Sequence, residues 1–107
     1  MIPLHFYVNG QFLQRDPKSP FRKLVAGSSE LYNLTFTFSD DWAGFRAIAV
    51  LKAGSVSYEV PIVNGTVSFP GDLLEYHKIS VRVAGKNGDT LMNTTESSII
   101  QTGGITT

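Results

Sequence analysis

The chain has 107 residues, enough for one domain and too few for a second hydrophobic core. Nine basic residues balance nine acidic ones without a clear basic cluster, so we expect no nucleic-acid partner. The absence of cysteine excludes disulfides, thiolate metal sites and a cysteine nucleophile, and no apolar run approaches the roughly 20 residues of a membrane span. With His5 and His77 as the only histidines, a multi-histidine metal site is excluded as well.

The N-terminal segment, residues 1–16, is predicted to form a β-hairpin. Its apolar residues lie on both sides of the dipeptide Asn9-Gly10: Leu4, Phe6, Val8, Phe12 and Leu13. Asn-Gly between apolar runs favours a type I′ turn, in which both central residues have positive φ. Pro17 and Pro20 then break the pattern and predict a loop.

Three strands are predicted between residues 31 and 63. Leu31–Phe38 is the strongest, because every second side chain is apolar: Tyr32, Leu34, Phe36 and Phe38. Ser39 is expected to cap one short helical turn that runs through Trp42. Residues 47–52 are apolar on both faces, which predicts a central, buried strand, and residues 55–63 alternate again.

The C-terminal half predicts further hairpins. Asn64-Gly65 is a second turn signal, residues 78–84 alternate cleanly, and a last strand is expected over residues 90–101. Residues 102–107 lack a packing pattern, so we expect a flexible linker or tail there. About eight short strands with this spacing predict an all-β fold, an antiparallel β-sandwich of immunoglobulin-like type, as a single domain over residues 1–101; a small barrel is the alternative.

No residue pattern predicts catalysis. Asp40 and Asp41 beside Trp42 have the composition of a glycosidase pair, but adjacent residues on a turn point in different directions. We expect a turn whose Trp42 plugs the end of the sandwich. No Gly-x-Ser-x-Gly elbow accompanies either histidine. We therefore predict no enzyme and no catalytic, cofactor-binding or metal-binding residue.

One segment resembles a known family. Residues 32–45 read as a Phe-x-Phe strand that runs into Ser39-Asp40-Asp41-Trp42-Ala43-Gly44, and further similarity continues through Val67-Ser68-Phe69-Pro70 and residues 79–85. Over roughly residues 31–101 the chain is similar to a domain of small virion proteins from phages of Gram-positive bacteria. The motifs that carry this resemblance are structural, and no active-site residue comes with them.

The resemblance implies a non-enzymatic virion structural protein made in the cytoplasm of a bacterial host. We expect the base domain of a head fibre, or a capsid decoration protein, anchored to the capsid. A protein of the tail or baseplate and a host-glycan-binding module are the alternatives. Expected partners are other virion proteins of the shell or tail and further copies of the chain as a homo-oligomer, with a cell-surface glycan for the second alternative and no membrane.

The N-terminal hairpin is the candidate interface. A hairpin at a chain terminus exposes strand edges, which proteins normally cover or pair. Contact with the shell or with a neighbouring protomer would explain its five apolar residues: Leu4, Phe6, Val8, Phe12 and Leu13. The alternative is that the hairpin forms the first two strands of the sandwich itself.

Overall fold

Within the part of the chain that the structure describes, nine strands form two sheets that pack together, so the predicted all-β sandwich is confirmed. The computed structural model describes residues 2–21, 24–27 and 32–106. The first sheet has the order β2–β1–β3–β6, and its strands are β1 Ile2–Asn9, β2 Phe12–Arg15, β3 Tyr32–Phe38 and β6 Thr66–Ser68.

The second sheet has the order β5–β4–β7. On the side of β7 away from β4, the first residues of β7 pair with β9 and its last residues pair with β8. Its strands are β4 Arg46–Ala53, β5 Val56–Pro61, β7 Lys78–Asn87, β8 Thr90–Asn93 and β9 Ser97–Ile100. Two single 3₁₀ turns, Asp40–Trp42 and Gly71–Glu75, connect the sheets. Strand β4 is central, as predicted, because β5 and β7 flank it.

The predicted all-antiparallel arrangement is wrong for one pair of strands. Strands β1 and β3 run parallel, with Leu4 opposite Leu34 and Phe6 opposite Phe36, whereas the other pairings between these nine strands are antiparallel. Parallel strands need a long connection. Here β2 first returns the chain along β1, and residues 16–31 then lead on to β3. The two strands have the same alternation of apolar residues, so either direction buries both, and the sequence pattern does not distinguish the directions.

The hairpin belongs to the core, so the predicted interface is wrong for four of its five residues. Leu4, Phe6 and Val8 are at most 1% exposed and Leu13 is 6% exposed, while Phe12 is 62% exposed. The Phe6 ring stacks on Phe36 with 5.5 Å between centroids. These four side chains fill the space between the sheets and cannot reach a partner, and Phe12 alone of the set remains on the surface.

The first two Asn-Gly dipeptides form turns of different type. Asn64 and Gly65 both have positive φ, 52° and 71°, as the predicted type I′ turn requires. At the first turn Asn9 pairs with Phe12, so the loop residues are Gly10 and Gln11. Only the first of these has positive φ, which is the pattern of a type II′ turn. The register of β1 and β2 therefore shifts the predicted turn by one residue.

The C-terminal segment is hydrogen-bonded to the body of the domain, which corrects the expected linker. Thr102 exchanges backbone hydrogen bonds with Leu24 and Ala26, and the Ile105 amide donates to the Glu75 carbonyl at 2.9 Å. The Ile105 carbonyl in turn accepts from the amide of His77 at 2.9 Å. Two short parallel bridges thus continue the fold past residue 101.

A buried glutamine ties these segments together. Gln101 is fully buried, and its side-chain amide donates to the carbonyls of Leu74 and Tyr76 at 3.1 and 2.8 Å. Its side-chain oxygen accepts from the Tyr32 hydroxyl. Burial raises the pKa of Tyr32, so the phenol stays a neutral donor. Since an unpaired buried amide is costly, this network holds the second 3₁₀ turn against β9 and β3.

Replacing Phe6 with alanine should lower the free energy of unfolding by about 3–5 kcal/mol, because a fully buried ring is lost from the core. Phe12→Ala is the matched control on the same hairpin, and we expect a change within about 0.5 kcal/mol. Urea unfolding of both variants measures the difference. A loss for Phe6→Ala as small as that for Phe12→Ala would place the hairpin outside the core.

Candidate functional site

An open groove of about 820 Å³ lies at the end of the sandwich where β3 passes into β4. Its lining is mostly aromatic and aliphatic: Phe38, Trp42, Phe45, Ala47, Ile48, Pro61 and Ile62. Ser39, Asp40 and Arg46 are the polar side chains of the wall. The rings form a chain, since Trp42 lies 5.4 Å from Phe38 and 5.6 Å from Phe45 between centroids.

Trp42 anchors this end of the domain, as the sequence predicts. The side chain is 4% exposed, and its Nε1 donates a hydrogen bond to the Gly10 carbonyl at 2.8 Å. The benzene ring of the indole lies against Gly85 of β7, where an added Cβ would come within 2.5 Å of Trp42 Cζ3. Trp42 therefore joins the β1–β2 turn, the first 3₁₀ turn and β7.

Ser39 does not cap the helical turn in the predicted way. Its hydroxyl makes no hydrogen bond to an amide of that turn. Ser39 Oγ instead accepts from the Gly10 amide at 2.9 Å and donates to Asp41 Oδ2 at 3.2 Å. The Ser39 hydroxyl bonds to the Gly10 amide rather than to its own turn, because the parallel pairing of β1 and β3 brings Gly10 beside it. Asp41 is thus engaged by Ser39, and Asp40 lies on the groove wall.

A hydroxyl, an imidazole and a carboxylate meet on the outer face of the first sheet. His5 Nε2 lies 2.7 Å from Thr37 Oγ1, and His5 Nδ1 lies 2.9 Å from Asp16 Oδ2. This order of groups is that of an acyl-transfer triad. No sequence signal identifies it, because the three residues meet only through the parallel pairing of β1 and β3 and the return of the loop after β2.

The same residues hold the loop after β2 in place. The His5 amide donates to Ser19 Oγ at 3.0 Å, and the His5 carbonyl accepts from the Asp16 amide at 2.9 Å. The hydrogen bond from His5, and next the one from the Lys18 amide, lower the pKa of Asp16. We interpret the cluster as a structural link between β1, β3 and this loop, since backbone and side-chain bonds converge on the same residues.

The outer face of the second sheet carries a group of cations that sequence reasoning missed. Alternation along β4 and β7, combined with their register, places five of them on one side: Arg46, Lys52, Lys78, Arg82 and Lys86. We call this surface the cationic face. Its members are up to 40 residues apart in sequence, so no basic run announces them. Among the described residues none of the five forms an ion pair.

An apolar stripe crosses the cationic face. It is one row of the sheet, formed by Pro61, Ile48 and Ala84, which are paired across β5, β4 and β7. Arg46 and Lys86 form the row on one side, and Arg82 lies on the other side, next to Val50. Ile48, Pro61 and Arg46 also line the groove, so the groove and the stripe form one continuous surface.

No known family profile matches the chain, and no curated protein matches it either. In the described ranges, no three histidine or acidic side chains come together as metal ligands would. None of the helical segments described is long and apolar enough to cross a membrane. The groove with its adjoining stripe is therefore the candidate site that the geometry provides.

Replacing Gly85 with alanine should displace Trp42 and lower the free energy of unfolding by about 1–3 kcal/mol, because the new methyl group overlaps the indole. Gly71→Ala is the control, since no atom lies within 4 Å of a Cβ at that position. Fluorescence of the single tryptophan during urea unfolding reports both effects. Equal midpoints for the two variants would show that the packing of Trp42 against Gly85 is loose.

Replacing Asp16 with asparagine should weaken the acid dependence of stability. Because its pKa is lowered in the folded state, ionised Asp16 stabilises the fold above about pH 4, and this stabilisation is lost as the pH falls through the folded-state value. The stability difference between the wild type and Asp16→Asn should therefore shrink in acid. Urea midpoints between about pH 2 and 6 measure it, with Asp89→Asn on the β7–β8 turn as control. A difference that stays constant with pH would contradict the link through His5.

Proposed function

We propose that the chain is a non-enzymatic structural domain of a phage virion that binds other virion proteins through the groove and the apolar stripe. In the most specific form, it is the base domain of a head fibre or a capsid decoration protein anchored to the shell. It is made in the bacterial cytoplasm and then incorporated into the particle, where it contacts the shell or tail proteins and further copies of itself.

The position of the family-like segment carries this proposal. Residues 32–45, which hold the resemblance to virion domains, supply the wall of the groove through Phe38, Trp42 and Phe45. The turn in this segment is stabilised by bonds to Gly10 and by packing on Gly85, so the groove has a preformed shape. Apolar surface with a preformed shape favours protein docking.

A host-glycan-binding module is the second candidate. The observation in its favour is that Tyr7 and Phe12 are 42% and 62% exposed on the outer face of the first sheet. Asn9 and Gln14 lie beside them as polar neighbours. Rings exposed next to amides can stack on sugars. Reproducible binding on a glycan array that is lost in Tyr7→Ala would favour this function over docking at the groove.

Mass spectrometry of purified particles tests the proposal, using phage made from the genome that encodes the chain. We expect the chain at a fixed copy number in each particle. Pro61→Glu places a charge on the exposed wall of the groove and should reduce the copy number about tenfold, a typical effect of a charge introduced into an apolar contact. Val63→Glu makes the same kind of change two residues away, outside the groove lining, and should leave the copy number unchanged. Particles without the wild-type chain would show the proposal to be wrong.

A further inference from the structure

We propose that the segment bound at this site is acidic and comes from a different virion protein: it places an apolar side chain on the stripe and carboxylates on the cations at both sides. This inference rests on the proposed function, because it names the chemistry of the partner at the same surface. It follows from three features of the cationic face, namely its charge, its spacing and its apolar centre.

The charge of the chain is segregated although its total is zero. Five of the seven lysines and arginines within the described ranges lie on the cationic face. Among the described strands of the second sheet, Glu59 is the single carboxylate at an outward position. Glu96 lies at the edge of the cationic face, beside Lys52 and Lys78. Five cations against two carboxylates leave a net charge of +3 on this face. A surface of this kind attracts an anionic partner and accelerates its association.

The spacing of the cations matches a partner with carboxylates on both sides of an apolar residue. Lys78, Arg82 and Lys86 are four residues apart on β7, which is about 13 Å at roughly 3.3 Å per residue of strand. Ala84 lies midway between the last two, and Ile48 lies beside it on β4. Arg82 is held in place by a 2.8 Å hydrogen bond from Nη1 to Asn93 Oδ1.

The apolar stripe favours a protein segment over a simple polyanion. Protein interfaces combine an apolar centre with a charged rim. The stripe has this arrangement, with Arg46 and Lys86 in the row on one side and Arg82 in the row on the other, which also holds Val50 and Glu59. A polyphosphate or a nucleic acid would pair with the cations but would leave Ile48 and Pro61 without an apolar partner. The continuity of the stripe with the groove gives the partner further apolar contact at Ile62.

The acidic turns of the chain itself do not have the complementary pattern. The β7–β8 turn lies near the exposed Leu91 but supplies a single carboxylate, Asp89. Asp40 and Asp41 are followed by Trp42, which is buried in its own core. Asp72 and Glu75 bracket two leucines of the second 3₁₀ turn, and both leucines are buried as well. These turns present carboxylates without an apolar side chain between them. A second copy of the chain is therefore a poor occupant of the stripe.

Zero-length coupling with a carbodiimide tests the inference in purified particles, because this reagent joins a lysine amine to a carboxylate only when the two are in contact. We expect Lys86 to be coupled to an Asp or Glu of another virion protein, in a peptide with an apolar residue two positions from the acid. Lys18, on the loop after β2, lies near Asp16 of its own chain and is the internal control, since it should show much less coupling to other virion proteins than Lys86 does. Coupling of Lys86 only to this same chain, or no coupling while the chain is present in particles, would overturn the inference.

Charge variants supply a second measurement. Lys86→Glu should reduce the copy number per particle about tenfold, while Lys86→Arg should keep the copy number and lose the coupling product. Lys18→Glu changes the net charge equally and should have no effect. A Lys86→Glu chain that enters particles normally would overturn the inference. Absence of the wild-type chain from particles would overturn the proposed function and the virion origin of the partner, and would leave the acidic chemistry of the partner to be tested.

If the wild-type chain is absent from particles, a titration in solution tests whether the partner is acidic. An extended peptide with the repeat Glu-Ser-Leu-Ser, in which glutamates and leucines share one face, should shift backbone amide signals of β4 and β7 in nuclear magnetic resonance spectra, and Lys86→Glu should abolish the shifts. A peptide with glutamine in place of glutamate is the control and should not bind. Equal binding of both peptides, absence of binding, or stronger binding of polyphosphate would overturn the acidic-partner inference. Salt-sensitive self-association that is lost in Lys86→Glu would assign the face to a second copy and overturn it too.

Discussion

The parallel pairing of β1 with β3 is the constraint on which the rest of the structure depends. Its register places Leu4 beside Leu34 and Phe6 beside Phe36, so both strands direct their apolar faces into the same core. A slip by one residue would turn every one of these side chains outward. The pairing continues past the strands, because the Ser39 amide donates to the Val8 carbonyl at 2.8 Å.

The groove is a consequence of this pairing. Once Val8 and Ser39 are joined, the β1–β2 turn lies against the 3₁₀ turn, and the Gly10 carbonyl comes within reach of Trp42 Nε1. The indole then closes the end of the sandwich, and only a residue without a side chain fits opposite it, at position 85. The aromatic wall therefore has its shape before any partner arrives, which reduces the ordering cost of docking.

Local patterns determine which parts of this structure were predictable. Alternation of apolar residues predicted β3, β5 and β7, and the Asn64-Gly65 dipeptide predicted its turn, because each depends on neighbours in sequence. The direction of β1 relative to β3 has no such local signal. The contact between His5 and Thr37 and the gathering of Arg46 with Lys86 on one face also depend on the pairing between distant strands. The sequence therefore predicted the position of Trp42 at the end of the sandwich, where it forms the wall of the candidate site. It did not predict the cations that gather on the adjoining face.

The two outer faces of the sandwich differ in a way that orients the domain. The outward positions of the first sheet hold hydroxyls, amides and rings without a lysine, arginine, aspartate or glutamate, and His5 there is already bound to Asp16 and Thr37. The second sheet holds five cations that lack an ion pair in the described part of the chain. Unpaired cations around an apolar row attract a partner that supplies the counter-charge that their own sheet largely lacks. Docking through the second sheet would leave the first sheet, with Tyr7 and Phe12, facing away from that partner.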